Sequence, residues 1–440
     1  MLGGLTRERY FRVVEEAGGG VLSLGNESYE QGIFTSRAVT MIRAAKTRPS
    51  AQGDAANQEP GLLVRHTFYH GPLTFSGRLG GIRAGLALVE SAVETVPGDS
   101  PKPGFTVAGE TPALTASLFF GFGNDMECAL NTAAFSYDAN GMVLAVGDCA
   151  GRVIHDPETQ SWRGEMALPR YTLSDGDFSF TVTDISMDFD MAQFLPWVFV
   201  GKSEAAMSSM NMTRSGQSIF TAEGLRSSAQ SSIDAGLLTS GIVMNLQNAT
   251  AGGYSFGPVF CDMEIRDMNA TTISESYIDL TAIVANRDVR DIKVELAQWN
   301  QRLAERLMAE GVKFDMRRLS VPTSMGALEC SVLLALQGSG ENNSNPLALL
   351  GNLNATAQIS VDESLVVGVL RTILRARGLI PAANDAGSDT EDDLARQMVS
   401  QNVEPMVAQG LLRREGGTLK ADAVFEKGSL LVNNRPVPLL

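Results

Sequence analysis

Residues 126–147 read MECALNTAAFSYDANGMVLAVG, and this stretch decides the fold. Two apolar-rich runs flank the Asn140-Gly141 pair, and Asn-Gly accepts the positive φ angles that a tight hairpin turn needs. If Ala139 pairs with Met142 across the turn, the stretch forms an antiparallel β-hairpin with a defined register.

The same kind of pattern extends over residues 114–284 as strand after strand with short turns. Apolar and polar residues alternate over 178–182. The apolar phase then slips by one residue at Thr183-Asp184, so we expect a bulge or turn there. Residues 259–266 alternate in the way that is typical of an antiparallel sheet with one face in water.

The bulk composition narrows the classes of function. The chain has 440 residues, is 44% hydrophobic and carries a net charge of −15. It is long enough to bury a large core. The negative charge argues against non-specific nucleic-acid binding, which needs clustered Lys and Arg, and against electrostatic docking on an anionic membrane.

These patterns predict an α+β protein. We expect a large, mostly antiparallel, twisted and elongated β-sheet with a few flanking helices and a C-terminal helix plus β-hairpin. Three regions are predicted: an N-terminal α+β segment over 1–112, a central antiparallel β-rich region over 113–287, and a C-terminal α+β region over 288–440.

Helical spacing of apolar residues predicts the helices, and Gly or a capping box marks several of their ends. Pro405 is expected to break the last of them or to restart it before Leu411. The predicted helices are Thr6–Ala17, Gly81–Val96, Asp288–Ala309, Glu363–Ala376 and Ser388–Asn402. After them, residues 419–426 and 429–433 predict a hairpin that turns at Lys427-Gly428.

The cysteines and histidines do not predict a metal site. The four cysteines form no CxxC pair and the chain has three histidines, so zinc is not expected. In the register given above, Cys149 faces Thr132 and lies two pairs away from Cys128. A disulfide between the two cysteines would need a register shift, so we expect free thiols. We predict no metal and no cofactor.

Three other polar or sulfur-rich groups have two interpretations each. His66 and His70 lie about 13 Å apart if they share a strand, so they would not share a metal, and we expect His70 to be a turn residue whose ring bonds to backbone. The spacing of Asp184, Asp188 and Asp190 does not fit an EF-hand, and these residues are expected on a wet face.

The third of these groups is a small methionine cluster. Met207, Met210 and Met212 are either core filler or the lining of an adaptable apolar groove. The sequence leaves both interpretations open.

Three stretches together resemble a known family. Residues 406–412 and 421–437 resemble the C-terminus of the bacterial YdgA/YihF family, whose function is unknown. Residues 29–36 are similar to its early aromatic–Gly–Phe–Ser segment, and residues 64–73 to its strand that ends in His-Gly-Pro. The positions that carry the resemblance, which we expect to be structural, are Tyr29, Gly32, Phe34, His70, Gly71, Pro72, Gly428 and Asn433.

The resemblance implies a periplasmic protein of the cell envelope. The family is tethered to the inner membrane by one N-terminal apolar helix, and this sequence lacks such an anchor. We therefore expect membrane association only through an N-terminal anchor absent from this chain. The family supplies no catalytic residues to carry over.

Two functions remain open. The first is a non-enzymatic protein that binds an apolar ligand or lipid along a curved β-sheet. The alternative is a structural or protein-interaction module that acts as a homodimer, through an edge strand or the predicted Asp288–Ala309 helix. An enzyme is not predicted, because the chain holds no convincing Gly-x-Ser-x-Gly, Walker, His-Glu-x-x-His or Gly-x-Gly-x-x-Gly motif.

Overall fold

The computed structural model describes residues 22–44, 61–96, 104–107, 114–139, 141–285, 292–336, 351–376 and 388–438. The strands are β1 (Leu22–Glu30), β2 (Thr35–Ala44), β3 (Gly61–His70), β4 (Leu73–Ser76), β5 (Gly81–Ala84), β6 (Ala87–Val96), β7 (Gly104–Val107), β8 (Leu114–Phe120), β9 (Met126–Thr132), β10 (Phe135–Ala139), β11 (Met142–Val146), β12 (Cys149–Asp156), β13 (Ser161–Asp175), β14 (Phe178–Leu195), β15 (Val198–Arg214), β16 (Gln217–Asp234), β17 (Leu237–Ala251), β18 (Tyr254–Phe256), β19 (Val259–Asn269), β20 (Lys313–Thr323), β21 (Gly326–Leu336), β22 (Leu353–Asp362), β23 (Arg413–Glu415), β24 (Thr418–Glu426), β25 (Ser429–Val432) and β26 (Arg435–Val437). The helices are α1 (Ala270–Ala285), α2 (Ile292–Glu310), α3 (Glu363–Ala376) and α4 (Ser388–Ala408).

The chain divides into two compact units. Unit 1 comprises Met1–Ser218 and Ser274–Asn300, and unit 2 comprises Ile219–Ile273 and Gln301–Leu440. The three sequence regions predicted above group the chain differently, and their boundaries stay a prediction.

Unit 1 is built on a meandering antiparallel sheet. Its strands follow one another in the order β1-β2-β3-β6-β8-β9-β12-β13-β14-β15. The second part of β13 pairs with β11, which continues to β10 and β7. Strands β4 and β5 form a separate two-stranded hairpin.

Unit 2 repeats this architecture with its own strands. The order is β16-β17-β19-β20-β21-β22-β24-β25-β26, again antiparallel at each step. The prediction of a mostly antiparallel sheet with a few helices is therefore confirmed. The predicted twist and elongation stay predictions.

Two-residue turns connect many of these strands. Both central residues have positive φ in Ala235-Gly236 (49° and 82°) and in Lys427-Gly428 (51° and 75°). This is the type I′ geometry whose twist matches that of the flanking strands. The C-terminal hairpin predicted at Lys427-Gly428 is confirmed.

The register predicted for the opening stretch is also confirmed. Ala139 pairs with Met142, and Cys149 pairs with Thr132. Cys128 pairs instead with Val153, and both cysteines are free thiols. The two cysteines lie on one face but four pairs apart along the ladder, which is two steps on that face.

The helix predicted over Gly81–Val96 is wrong, because this segment forms strands β5 and β6. Val89 and Val93 share a face in either conformation, since residues four apart lie on one side of a helix and also on one side of a strand. The structure buries Leu88 on the opposite side from Val89, which a two-sided strand permits.

The other helix predictions have mixed outcomes. Helix α3 has the predicted bounds, and α2 covers most of the segment predicted over Asp288–Ala309. The strands predicted to continue to residue 284 end at Asn269, and Ala270–Ala285 forms helix α1 instead. Helix α4 continues through Pro405 to Ala408, so the predicted break is wrong. Pro405 lies in the last turn of the helix. The predicted helix at Thr6–Ala17 lies outside the described residues. No helix in the described ranges is long and apolar enough to cross a bilayer.

The phase slip in β14 coincides with a backbone irregularity at Asp184. This residue has a left-handed φ of 51°. The pairing with β13 has the same register on both sides of it, from Leu168–Ile185 to Arg170–Thr183. The predicted bulge or turn is therefore wrong: β14 is continuous through this point, and a single left-handed residue stands there without an inserted residue.

The buried cores are small compared with the sheets. Leu79, Leu88, Phe119 and Ala129 form one cluster in unit 1. Most apolar side chains on the strands are only partly buried, since they lie on a sheet face rather than between two layers.

Gly164 of β13 is expected to tolerate no side chain. A methyl group there would lie 2.4 Å from the Phe189 ring and 2.9 Å from the carbonyl oxygen of Arg152. We expect Gly164→Ala to lower the free energy of unfolding by about 1–3 kcal/mol, measured by urea denaturation, because a packed neighbour must shift. Gly151→Ala is the control, since its nearest new contact is at 3.4 Å. Equal losses in the two variants would contradict the predicted contact.

Candidate functional site

Four rows of apolar side chains cross the sheet of unit 2 on one side, and we call this surface the apolar face. The register places these side chains together, because paired residues of neighbouring strands point to the same side of a sheet. The rows are Val321, Leu328, Val361 and Leu419; Cys261, Leu319, Cys330, Ile359 and Ala421; Met263, Met316, Val332, Ala357 and Ala423; and Ile265, Phe314, Leu334, Ala355 and Phe425.

A β-bulge keeps strand β20 in phase with its neighbours. Asp262 pairs with Arg318, but Met263 pairs with Met316, so Arg317 is the extra residue. This insertion returns Leu319 to the side of Met316. This bulge was not predicted from the sequence. Its signal is the pair of arginines at 317 and 318 between two apolar positions.

The opposite side of the same strands is polar, and ion pairs cross it. An Arg266 nitrogen donates to Asp315 at 2.7 Å, and Arg317 lies 2.9 Å from Glu264. Charge is therefore confined to one side of the sheet. Asp315, Arg317 and Asp422 contribute to a depression of about 520 Å³.

The apolar face is only partly buried. Ile265 is 37% exposed, Leu334 39% and Ile359 41%. Of the side chains in the four rows, only Cys261 and Leu419 are buried. The face is therefore an open surface rather than an enclosed cavity.

Helices α3 and α4 pack on one end of the apolar face. Val399 and Val403 of α4 form a buried cluster with Leu419, and Val361 and Val366 pack against that cluster. The row that ends in Leu419 is thus the one next to the helices, and the row that contains Leu334 lies at the other end of the strands.

The C-terminal positions of the family resemblance have structural roles. Asn433 begins a two-residue turn with φ of 49°, and its amide nitrogen donates to the carbonyl oxygens of Gly410 and Leu411 at 3.2 and 3.0 Å. Its amide oxygen accepts from the backbone N–H of Asp422 at 3.1 Å. Asn433 thereby fixes the segment after α4 to β24. Gly428 supplies the positive φ of the preceding turn.

The N-terminal positions come together in unit 1, although they are far apart in sequence. The Ser36 hydroxyl lies 2.7 Å from His70 Nε2 and accepts from the Gly32 backbone N–H at 3.3 Å. The His70 backbone N–H donates to the Phe34 carbonyl at 2.7 Å. The predicted ring-to-backbone bond of His70 is therefore wrong: its ring binds the Ser36 side chain, since β2 and β3 pair and bring Ser36 beside the ring.

The remaining positions of the resemblance surround this contact. The Tyr29 ring lies 6.1 Å from the Phe68 ring, centroid to centroid. The Pro72 carbonyl accepts from the Gly85 N–H at 3.1 Å, and Gly71 has a positive φ of 133°. These contacts join the first strands of unit 1 at one end.

A serine beside a histidine can form a nucleophile and base, but Ser36 is 0% exposed. A substrate could not reach its hydroxyl. Burial lowers the pKa of His70, and its Nδ1 has no hydrogen-bond partner among the described residues. The arrangement is therefore suited to joining strands β2 and β3 around a neutral imidazole.

His66 lies four residues before His70 on the same strand. Its Nε2 is 3.2 Å from Thr40 Oγ1 and its Nδ1 is 2.8 Å from Ser91 Oγ. The ring thus bridges three adjacent strands. Burial lowers the pKa of His66 from 6.5 to about 4, because the charged imidazolium would lose its hydration.

The other candidates do not form a reactive site. Burial raises the pKa of the Cys128 and Cys261 thiols, which disfavours the nucleophilic thiolate. Asp188 and Asp190 are exposed, and Asp190 forms an ion pair with Arg163 at 3.2 Å. Within the described part of the chain, no three His, Cys, Asp or Glu side chains are grouped to hold a metal ion.

The methionine cluster lies on β15 in unit 1. Met207 is buried, whereas Met210 and Met212 are partly exposed opposite Val182 and Phe180. The first therefore fills the core, and the other two belong to an apolar sheet surface. The core interpretation therefore holds for Met207, and the groove interpretation of Met210 and Met212 stays a prediction.

Comparison with known proteins identifies one family. Residues 1–440 match the family model described as "Bacterial protein of unknown function (DUF945)". Neither the curated proteins nor the solved structures contain a match to the chain. The narrower YdgA/YihF resemblance stays a prediction.

The His66 network predicts a loss of stability in acid. Between pH 6.5 and about 4 the unfolded chain binds a proton on His66 that the folded chain does not bind, so the free energy of unfolding falls as pH falls. The loss is up to roughly 3 kcal/mol and is complete below about pH 4. We expect urea denaturation of His66→Gln to show a shallower decline over this range.

His155→Gln is the control for the removal of a histidine. His155 stacks on Trp162 with ring centroids 4.1 Å apart and is outside the His66 network. If both variants show the same decline of stability with pH as the unmodified chain, the assignment to His66 is wrong.

Proposed function

Because this chain belongs to DUF945, a bacterial family of unknown function, we propose a function from the geometry of its sheet. The protein binds an apolar ligand, such as a lipid acyl chain, on the apolar face of unit 2. It does so without catalysing a reaction and without a cofactor. The observation that supports this proposal is that the four rows are free of charged side chains and are mostly left partly exposed.

The exposure of the apolar face supports the proposal that a ligand or a partner covers this face when the protein functions. Soluble proteins rarely leave large contiguous apolar patches in water, and such patches mark binding sites. Leu334 and Ile359 lie on interior strands of the sheet, yet they are 39% and 41% exposed. A second protein layer over this face would have buried both.

The dimensions of the face suit a hydrocarbon chain. Five strands at about 4.8 Å spacing and rows about 6.6 Å apart give a surface of roughly 20 Å in each direction. Half of a bilayer's hydrocarbon core, which is the reach of one acyl chain, is about 15 Å. One or two chains could therefore lie across the face.

Because the four rows hold no charged side chains, the apolar face also favours a hydrocarbon ligand over a charged one. A charged headgroup buried there would lose its hydration without gaining a partner. The headgroup of a lipid would instead remain beyond the rows. Since α3 and α4 occupy the end near Leu419, the headgroup is expected at the end near Leu334.

A homodimer is the second candidate, and the same exposed face favours it. Two such sheets could pack face to face at about 10 Å, as in β-sandwiches. Both functions would bury the side chains of the apolar face. The mass of the native particle distinguishes them, because one adds a lipid and the other adds a second chain. With a net charge of −15, nucleic acid is not proposed as a partner.

The proposed location is the periplasm or cell envelope. The support for it is the resemblance of residues 29–36, 64–73 and the C-terminus to a family that resides there. A fusion to alkaline phosphatase, which is active only outside the cytoplasm, tests it. A stably produced fusion that is expressed from the protein's own gene and is inactive would refute it.

Substitution of Ala357 tests the ligand proposal. The protein is purified without delipidation, and native mass spectrometry followed by organic extraction measures bound lipid. We expect the unmodified chain to carry excess mass that resolves into lipid. In Ala357→Arg, a charge in the middle of the apolar face should lower lipid occupancy at least about tenfold.

Gln358→Arg is the matched control, because it is the next residue on β22 and is exposed on the polar side. It should retain the lipid. A clean mass of two chains without lipid would overturn the ligand proposal in favour of the dimer. A clean mass of one chain would refute both.

A further inference from the structure

Unit 1 presents a second apolar surface of a different kind. Six large side chains at the ends of its first strands are far more exposed than those of the sheet faces. Ile33 is 85% exposed, Phe34 76%, Leu73 70%, Phe75 68%, Ile82 76% and Phe122 59%. We call these six residues the apolar tip.

Backbone contacts place Phe34, the base of the β4–β5 hairpin and the end of β8 next to Phe122 at one end of the sheet. Phe34 precedes β2 and its carbonyl accepts from His70, the last residue of β3. The Leu86 N–H, just before β6, donates to the Phe120 carbonyl at 2.8 Å. Since β2, β3, β6 and β8 are successive neighbours, their ends span roughly 15 Å.

The β4–β5 hairpin is reversed relative to an ordinary surface hairpin. Thr74 and Ser76 face inward and are buried, whereas Leu73 and Phe75 face outward. Phe75 pairs with Ile82, so the outward side of the hairpin is apolar on both strands.

Inward contacts hold this reversed orientation in place. Arg83 forms an ion pair with the buried Glu127, and Arg152 donates to the same carboxylate at 2.7 Å. Leu79, in the hairpin turn, is 3% exposed and packs with Leu88. Rotation of the hairpin would break these contacts. The apolar residues are thus fixed in an outward position.

We propose that the apolar tip inserts into the surface of a lipid bilayer. Separate loops that each project one to three apolar side chains can enter a fluid interface without a complementary shape, whereas a protein partner needs a packed, continuous surface. Arg37 is exposed and lies three residues after Phe34, so it can meet an anionic headgroup. Because the net charge of the chain is −15, the proposed insertion depends on the apolar side chains rather than on electrostatic attraction.

This surface does not depend on the ligand proposed above. It lies in unit 1, and its six side chains are not part of the apolar face. Insertion of the tip would bring the protein to membranes whether or not unit 2 binds lipid.

Flotation with vesicles of phosphatidylethanolamine and phosphatidylglycerol tests the proposal. The full chain should float with the vesicles. The double variant Phe34→Ser plus Phe75→Ser should lower the bound fraction at least about tenfold, because each phenyl ring would no longer transfer from water to the interface. Circular dichroism and thermal unfolding of the variant report whether the fold is retained.

The double variant Met166→Ser plus Met187→Ser is the matched control. These side chains are 42% and 38% exposed in the same unit, and they pair with each other across β13 and β14, away from the tip end of the strands. They should leave flotation unchanged, as should Ala357→Arg, which separates this proposal from the ligand proposal. If the unmodified chain does not float, or if tip and control variants float equally, the insertion proposal is overturned and a protein partner replaces it.

A tryptophan at the tip gives an independent measurement. Phe34→Trp should add fluorescence that shifts to shorter wavelength when vesicles are added, because the indole enters a less polar medium. An unchanged spectrum of the added tryptophan would also overturn the proposal.

Discussion

The cross-strand register is the constraint on which the rest of the structure depends. A one-residue slip of any strand would move its apolar side chains to the opposite side of the sheet. Two-residue turns such as Ala235-Gly236 fix the register at the strand ends. The bulge at Arg317 restores it inside a strand. Through these devices the apolar face remains continuous across five strands, while the ion pairs remain on the other side.

As a result, the sheets have small buried cores and large, partly exposed surfaces. The sheets bury few side chains completely, so much of the stability must come from cross-strand pairs and from the hydrogen bonds of long ladders. Because Leu334 and Ile359 remain partly exposed on the apolar face, they are available to a ligand or a second chain. Where helices do cover the sheet, at Val399 and Val403, a buried cluster forms.

In contrast, the N-terminal strands are connected by polar side chains that form hydrogen bonds in buried positions. Ser36 joins His70, and His66 joins Thr40 and Ser91, so three strands are connected by side chains at their ends and along their length. Neutral imidazoles suit this role because they donate and accept without carrying charge. The family-resemblance positions of this region thus have a physical reason that does not require catalysis.

The sequence by itself determined the antiparallel hairpins, the register at Ala139–Met142 and the free thiols, because alternation and Asn-Gly turns act over a few residues. It could not separate helix from strand at Val89 and Val93, since both conformations place residues four apart on one side. Only the tertiary structure decided that Ser36 meets His70, that four rows align into one apolar face, and that Phe75 points outward. Those outcomes depend on pairing between strands that are distant along the chain, and no local pattern encodes them.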